Sequence, residues 1–197
     1  MELKKLIETK DGNTPIAPEE LDALIPALST QSELNEWEWT NIMEAEKWCF
    51  GRSLKTENPF TDAYVRKLHE KMFCNTWKWA GVYRKTEKNI GVPVFKIREM
   101  LVALLGDAEF WLTEKTYKPH ELALRFHHRL VSIHTFPNGN GRHARLMADV
   151  IINRLGLERF RWGSSKLTEV GDMRSAYIKA LGCADKGDIQ PLMKFAI

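Results

Sequence analysis

Apolar residues recur at intervals of three and four along most of this chain, a period that fits helices and not a sheet. Leu34, Trp37, Ile42 and Trp48 follow it between Glu33 and Phe50, behind Thr30-Gln31-Ser32-Glu33, which has the spacing of a capping box. Ala63 or Tyr64, Leu68 and Met72 repeat the pattern over 61–74. Helical patterns return at 97–113 and at 120–133, where Leu122, Phe126, Leu130 and Ile133 line one stripe. A further helix is predicted from Arg142 to Leu155, stopped by Gly156, with two more around 171–182 and from about Asp188. Near the start, Pro18-Glu19-Glu20 suits the first turn of a short helix, because proline lacks only a redundant N–H there and acids complement the dipole.

One segment breaks the pattern. In WAGVYRKTEKNIGVPVFKI, Trp79 to Ile97, the strand formers Val82, Tyr83, Ile90, Val92, Val94 and Phe95 flank a polar turn at 85–89. It predicts an exposed hairpin, with an irregular loop as the alternative. The expected class is therefore mostly α with one hairpin. An N-terminal arm with helices, 1–57, precedes a main domain, 58–197, and the two are expected to form one compact unit.

Composition narrows the function classes. A net charge of +3 without a dense basic stripe argues against a nucleic-acid surface, and the seven tryptophans lack the interleaved basic residues that a base-stacking groove needs. The tryptophans read as core anchors or a partner-facing patch. Cys49, Cys74 and Cys183 are odd in number and form no CxxC pair, so neither a disulfide framework nor a zinc site is indicated. No apolar leader or run of eighteen apolar residues occurs, which points to a cytoplasmic protein without a membrane partner. His127-His128 are adjacent and so face different ways, which favours packing or exposure over a metal cluster.

The chemistry concentrates in IHTFPNGNGRHARL, Ile133 to Leu146. Phe136, apolar within a polar turn, is expected to anchor the loop in the core. Gly139 and Gly141 permit positive φ and close approach of a ligand to the main chain. A glycine turn running into a helix makes an anion nest, with unpaired N–H groups and the positive helix end aimed at the ligand. Arg142 and Arg145 share one face at the helix start, where the dipole disfavours cations unless an anion such as a polyphosphate binds. His134, just before the turn, titrates near ~6.5 when unperturbed and suits a general base. A base beside a polyphosphate cradle implies phosphoryl or nucleotidyl transfer to a hydroxyl.

These residues resemble the core motif of the Fic domain family, H-P-F-x-[D/E]-G-N-G-R-x-x-R, with seven fixed positions matched between His134 and Arg145. WAGVYR at 79–84 looks like the lead-in to the family's flap, and AYIKALGCADKGDIQPL at 176–192 like its C-terminal helices. The ELNEWE stretch of the arm also resembles the bacterial subgroup called mobile mystery protein B. The resemblance implies a Fic-type helical bundle with one β-hairpin flap that transfers AMP from ATP to a hydroxyl of a target protein. By that resemblance His134 is the base, and Gly139, Asn140 and Gly141 form the anion hole. Arg142 and Arg145 meet the phosphates, and Tyr177 helps to bound the nucleotide pocket. The flap near 85–95 would hold the target in extended form, self-modification being one outcome, and the subgroup hints at a small DNA-binding partner.

Two departures stand out. Thr135 replaces proline, and Asn138 replaces the acid that holds Mg²⁺ or Mn²⁺. A neutral amide ligates a hard cation more weakly than a carboxylate, so metal use and full activity are both in question. Other group transfers, or a non-catalytic nucleotide-binding or protein-binding module, are the alternatives. Family members also carry an inhibitory [S/T]-x-x-x-E-[G/N] helix whose Glu pairs with the second motif arginine. Ser29 to Glu33 has that spacing, but Leu34 follows, and Glu33 serves equally to complete the Thr30 capping box.

Overall fold

The computed structural model describes residues 18–51, 57–163 and 170–197, with the main chain alone for 170–172; the start of the arm, 1–17, lies outside the described residues. Eight helices succeed one another in them: α1 Pro18–Leu21, α2 Gln31–Cys49, α3 Asp62–Phe73, α4 Ile97–Thr113, α5 Pro119–Ile133, α6 Asn140–Arg154, α7 Val170–Asp185 and α8 Gln190–Ala196. Every helix anticipated from the periodicity is present within a few residues of its expected bounds.

The stripes explain the packing. Leu122, Phe126, Leu130 and Ile133 of α5 are all buried, and α5 packs most extensively against α6, whose Leu146, Met147, Val150, Ile151 and Ile152 are buried in turn. α4 leans on α5 through Leu101, Leu104 and Ala108, while α3 supports α2 and α6. Each fully buried Leu or Phe contributes roughly 2 kcal/mol of apolar transfer. The α5–α6 pair matters most for function, because the turn between them is the histidine–glycine loop.

At the start of α2 the capping box forms. Thr30 Oγ1 accepts from the Glu33 N–H at 3.2 Å, and Glu33 Oε2 accepts from the N–H groups of Thr30 at 3.1 Å and Ser29 at 2.8 Å. The tryptophans divide between buried and exposed positions. Trp77 is buried and stacks on Trp79 at 4.9 Å, whereas Trp37 and Trp39 stand on the outer face of α2. All three cysteines are free, and among the described residues no helix is long and apolar enough to cross a membrane.

The expected hairpin at 79–97 is not a paired hairpin. The segment is an irregular flap that ends in a single 3₁₀ turn, Val94–Lys96. Its two legs bond to the chain beneath them: the Arg84 N–H donates to the Thr135 carbonyl at 3.1 Å and the Val92 N–H to the Ile133 carbonyl at 3.3 Å. The Arg84 side chain donates to the carbonyls of Thr86 and Val92, which would otherwise accept from the N–H groups of a hairpin partner. Strand propensity was present, but tertiary hydrogen bonds outcompeted the cross-strand ladder. The flap is also tied to α1, since buried Glu20 accepts from Thr86 Oγ1 at 2.7 Å and from Lys88 Nζ at 2.5 Å.

Candidate active site

α5 ends at His134, which adopts the left-handed conformation (φ 55°, ψ 61°) as the helix C-cap. A non-glycine residue there stores backbone strain, so its surroundings must enforce it. Phe136 then turns into the core, fully buried, with its ring stacked 3.7 Å from the His69 ring and edge-on to His143 at 5.1 Å. Asn140 closes the turn. Its Oδ1 accepts from the Phe136 N–H at 2.9 Å and its Nδ2 donates to the Phe136 carbonyl at 2.8 Å, leaving only its main chain for a ligand.

Gly139 sits at φ 78°, and a Cβ there would lie 2.5 Å from the Phe73 ring. Glycine is required on both counts. Gly141 differs from expectation: it lies in the first turn of α6 with ordinary helical φ. A Cβ on it would meet only Tyr177 Oη at 3.9 Å. Among the described residues a side chain at Gly141 would thus meet almost nothing, and the N–H groups of Gly141 and Arg142 have no acceptor. That is the arrangement an anion occupies.

Both arginines flank this helix start, in different states. Arg142 Nη1 donates to Glu38 Oε2 at 2.6 Å, and Glu38 Oε1 accepts from Trp77 Nε1 at 2.8 Å. Arg145 lies over the Tyr177 ring at 5.3 Å, and its Nε donates to the Gly141 carbonyl at 3.3 Å. Burial, with the nearby positive charges of Arg142 and Arg174, lowers its pKa from the ordinary arginine value. Among the described residues no carboxylate pairs with it at ion-pair distance. A buried, uncompensated guanidinium gains strongly from an incoming anion.

The His134 imidazole is mostly buried, and burial lowers its pKa to about 4, helped by the charges of Arg84 and Lys88 and opposed by a hydrogen bond to the Val131 main chain. It is therefore neutral at pH 7, with the Val131 main-chain bond helping to orient the ring. Gly91 of the flap presses on it, since a Cβ at Gly91 would lie 2.5 Å from the His134 Cβ.

Asn138 contributes little to a cation. Its Oδ1 already accepts from the Gly139 N–H at 2.6 Å, its carbonyl faces His69 Nε2 at 3.1 Å, and it carries no charge. Among the described residues no group of three His, Cys, Asp or Glu side chains is placed to hold a metal. The residues present do not fit a protein-held metal ion.

The Glu33–Arg145 contact that the sequence spacing allows is not made. Glu33 is fully engaged at the start of α2, where the Ser29 and Thr30 N–H groups lower its pKa. Glu38, one turn further on, reaches Arg142 instead. The adjacent histidines separate as expected: His127 is buried with Nε2 3.0 Å from Tyr177 Oη, and His128 pairs with Asp185 at 2.8 Å.

Sequence reasoning missed Glu38, His69, Arg84 and Arg174. His69 is fully buried. Its Nδ1 accepts from the Gly81 N–H at 3.0 Å, so its Nε2–H donates to the Asn138 carbonyl and links flap lead-in to motif turn. Only its helical register with Leu68 and Met72 hinted at burial.

Phe136→Ala should lower unfolding free energy by roughly 3–4 kcal/mol in urea titrations. Because the ring holds the turn on His69, anion affinity should fall as well; an unchanged urea midpoint would refute the anchoring role.

The sequence profile described as the Fic/DOC family matches residues 59–152. The protein adenylyltransferase Fic of Nematostella vectensis is 28% identical over 173 residues, covering 86% of this chain and 39% of the relative. The protein adenylyltransferase fic-1 of Caenorhabditis elegans is 30% identical over 119 residues, 59% of this chain and 22% of the relative. The chain thus spans well under half the length of these curated relatives. Among solved structures, Fic-1 from C. elegans superposes with a TM-score of 0.66 at 22% identity, covering 86% of this chain and 50% of that one. The BepC protein of Bartonella tribocorum with bound AMPPNP superposes with a TM-score of 0.64 at 20% identity, covering 91% and 96%. Profile, relatives and fold agree with the motif turn and its arginines: it is over residues 59–152 that this chain matches the Fic/DOC family.

Proposed function

We propose that the chain transfers AMP from ATP to a hydroxyl side chain of a protein. The observation that carries this reading is the neutral His134 at one end of a turn whose other end is the N-terminus of α6, beside an Arg145 that has no carboxylate at ion-pair distance among the described residues. Relatives that carry the name protein adenylyltransferase favour it. In this reading the turn formed by Gly139, Asn140 and Gly141 cradles the α- and β-phosphates against the main-chain N–H groups at the start of α6, while Arg142 and Arg145 meet the phosphate tail. The neutral His134 imidazole, in the same reading, takes the proton of the target hydroxyl. That oxygen forms a bond to the α-phosphorus as the α–β bridging P–O bond breaks, and pyrophosphate leaves. A target segment lying along the flap at 85–95 would bring its hydroxyl to His134, and this chain itself is the simplest target to assay.

Incubation with α-labelled and, separately, γ-labelled ATP distinguishes the chemistry. Protein labelled from the α position alone supports the reading; label from the γ position alone overturns it in favour of phosphoryl transfer.

Asn138 favours a second reading, in which the chain binds nucleotide and turns over little. Asn138→Asp supplies the missing charge beside the phosphate socket. Transfer in Mg²⁺ or Mn²⁺ should rise roughly tenfold or more, since a metal on the phosphates supplies several kcal/mol to the transition state. A variant no faster than wild type would show that the asparagine is not what limits turnover.

A further inference from the structure

Arg84 is fully buried, yet it touches neither the nest nor the arginines at α6. Its Nε donates to the His134 carbonyl at 2.6 Å, its Nη1 to the Thr86 carbonyl at 3.0 Å and its Nη2 to the Val92 carbonyl. Its acidic partner, Glu87 at 3.6 Å, is largely exposed. Burying a guanidinium mainly among carbonyls is unfavourable, and desolvation duly lowers its pKa. A methionine of similar length would fill the volume without that penalty. The carbonyls it holds belong to the left-handed His134 and to both legs of the flap.

We propose that Arg84 is a positioning residue that locks the flap at 85–92 to the main chain of His134, so that the target-holding loop and the base keep one fixed geometry. The idea rests on the adenylyl-transfer reading for its catalytic consequence, although the lock itself does not. Three further contacts make the same junction tight. The Arg84 N–H bonds the Thr135 carbonyl, the Val92 N–H bonds the Ile133 carbonyl, and Gly91 leaves no room for a Cβ against His134. The guanidinium spans the gap between these points with a planar fork, a geometry that the single ammonium of lysine cannot copy. Among the described residues the charged groups that act on the imidazole are Arg84 and Lys88, both on the flap. Lys88 is held by Glu20 of α1, so it does not replace the fork.

Two variants test this, Arg84→Lys, which keeps a charge but loses the fork, and Arg84→Gln, which loses the charge. Amide exchange and NMR titration of His134 are read without any assay of activity. Arg84→Lys should speed exchange of the Val92 amide about tenfold or more while circular dichroism stays unchanged. Arg84→Gln should do the same and move the His134 titration up from about 4 toward 6.5. In the transfer assay both should lower kcat by about 10–100-fold, the expected penalty of a misplaced base, with ATP affinity by calorimetry unaltered. Slow exchange and an unmoved titration in a folded Arg84→Gln overturn the lock. If Arg84→Gln does not fold, Arg84→Lys decides: wild-type exchange and kcat refute the proposal. Loosened exchange with undiminished transfer would instead count against the catalytic reading of His134, and the lock would stand.

Discussion

His134→Ala should reduce AMP transfer by about 10³-fold, within the range that a positioned acid–base group supplies, and leave nucleotide affinity within a few-fold of wild type. The argument is geometric. The imidazole sits before the turn, while the groups expected to meet ATP, the α6 N-terminus with Arg142 and Arg145, lie after it. Truncating the ring removes the proton acceptor without touching the anion site. Because the ring is already neutral at pH 7, the activity of the folded wild type should show no step near 6.5, and protonation of His134 should cost activity only near 4, where the fold still holds. Measuring kcat against pH for the wild type, and kcat with ATP Kd for the alanine variant, checks both halves. Full activity in His134→Ala would remove the base from the mechanism.

Acid should unfold this protein early. His69, His127, His134 and His143 are all buried, and burial lowers the pKa of each: to about 3 for His127 and His143, to about 4 for His134, and well below 6.5 for His69. In the unfolded chain each titrates near 6.5. The unfolded state therefore binds more protons than the folded state between those values, and stability is lost as pH falls through 6.5 toward 4. His127, His134 and His143 are each worth about 2 kcal/mol between pH 7 and pH 5, and His69 acts in the same direction. Asp149 opposes them. Burial raises its pKa from 3.8 to about 6, so its ionised form weakens the fold above that range and the penalty is relieved on acidification. Three or four histidines outweigh one carboxyl, and their sum is a large share of the ~5–15 kcal/mol that holds a typical domain together. Urea unfolding at pH 7 and pH 5 should show a markedly lower midpoint at pH 5. An equal or higher one would mean that the histidines are solvated.

The helices and the motif turn were legible because their causes are local. A capping box needs only Thr30 and Glu33, three residues apart, and the structure forms it. The same local reach drew Glu33 to its own backbone, so the long-range pairing with Arg145 never competed. Glu38 reaches Arg142 across 104 residues of chain. No spacing rule announces such a pair. It exists because α2 packs on α3 and passes beside the start of α6 at the depth where Trp77 is buried. The flap shows the reverse case. Val82, Ile90 and Val92 favour a strand, but Arg84 and the 133–135 segment offered main-chain partners that a two-stranded ladder did not match.

The chemistry of the turn was written within twelve consecutive residues, His134 to Arg145, since a base, a glycine nest and two arginines act over distances that one turn and one helical start can span. Folding settled which cation stays uncompensated. Arg142 met the carboxylate of Glu38, Arg145 met the ring of Tyr177, and the difference arises from which neighbours α2 and α7 bring to α6. Burial likewise made His134 a neutral imidazole and Arg84 a buried fork: exclusion of water is a property of the packed helices and leaves no mark in any short stretch of sequence.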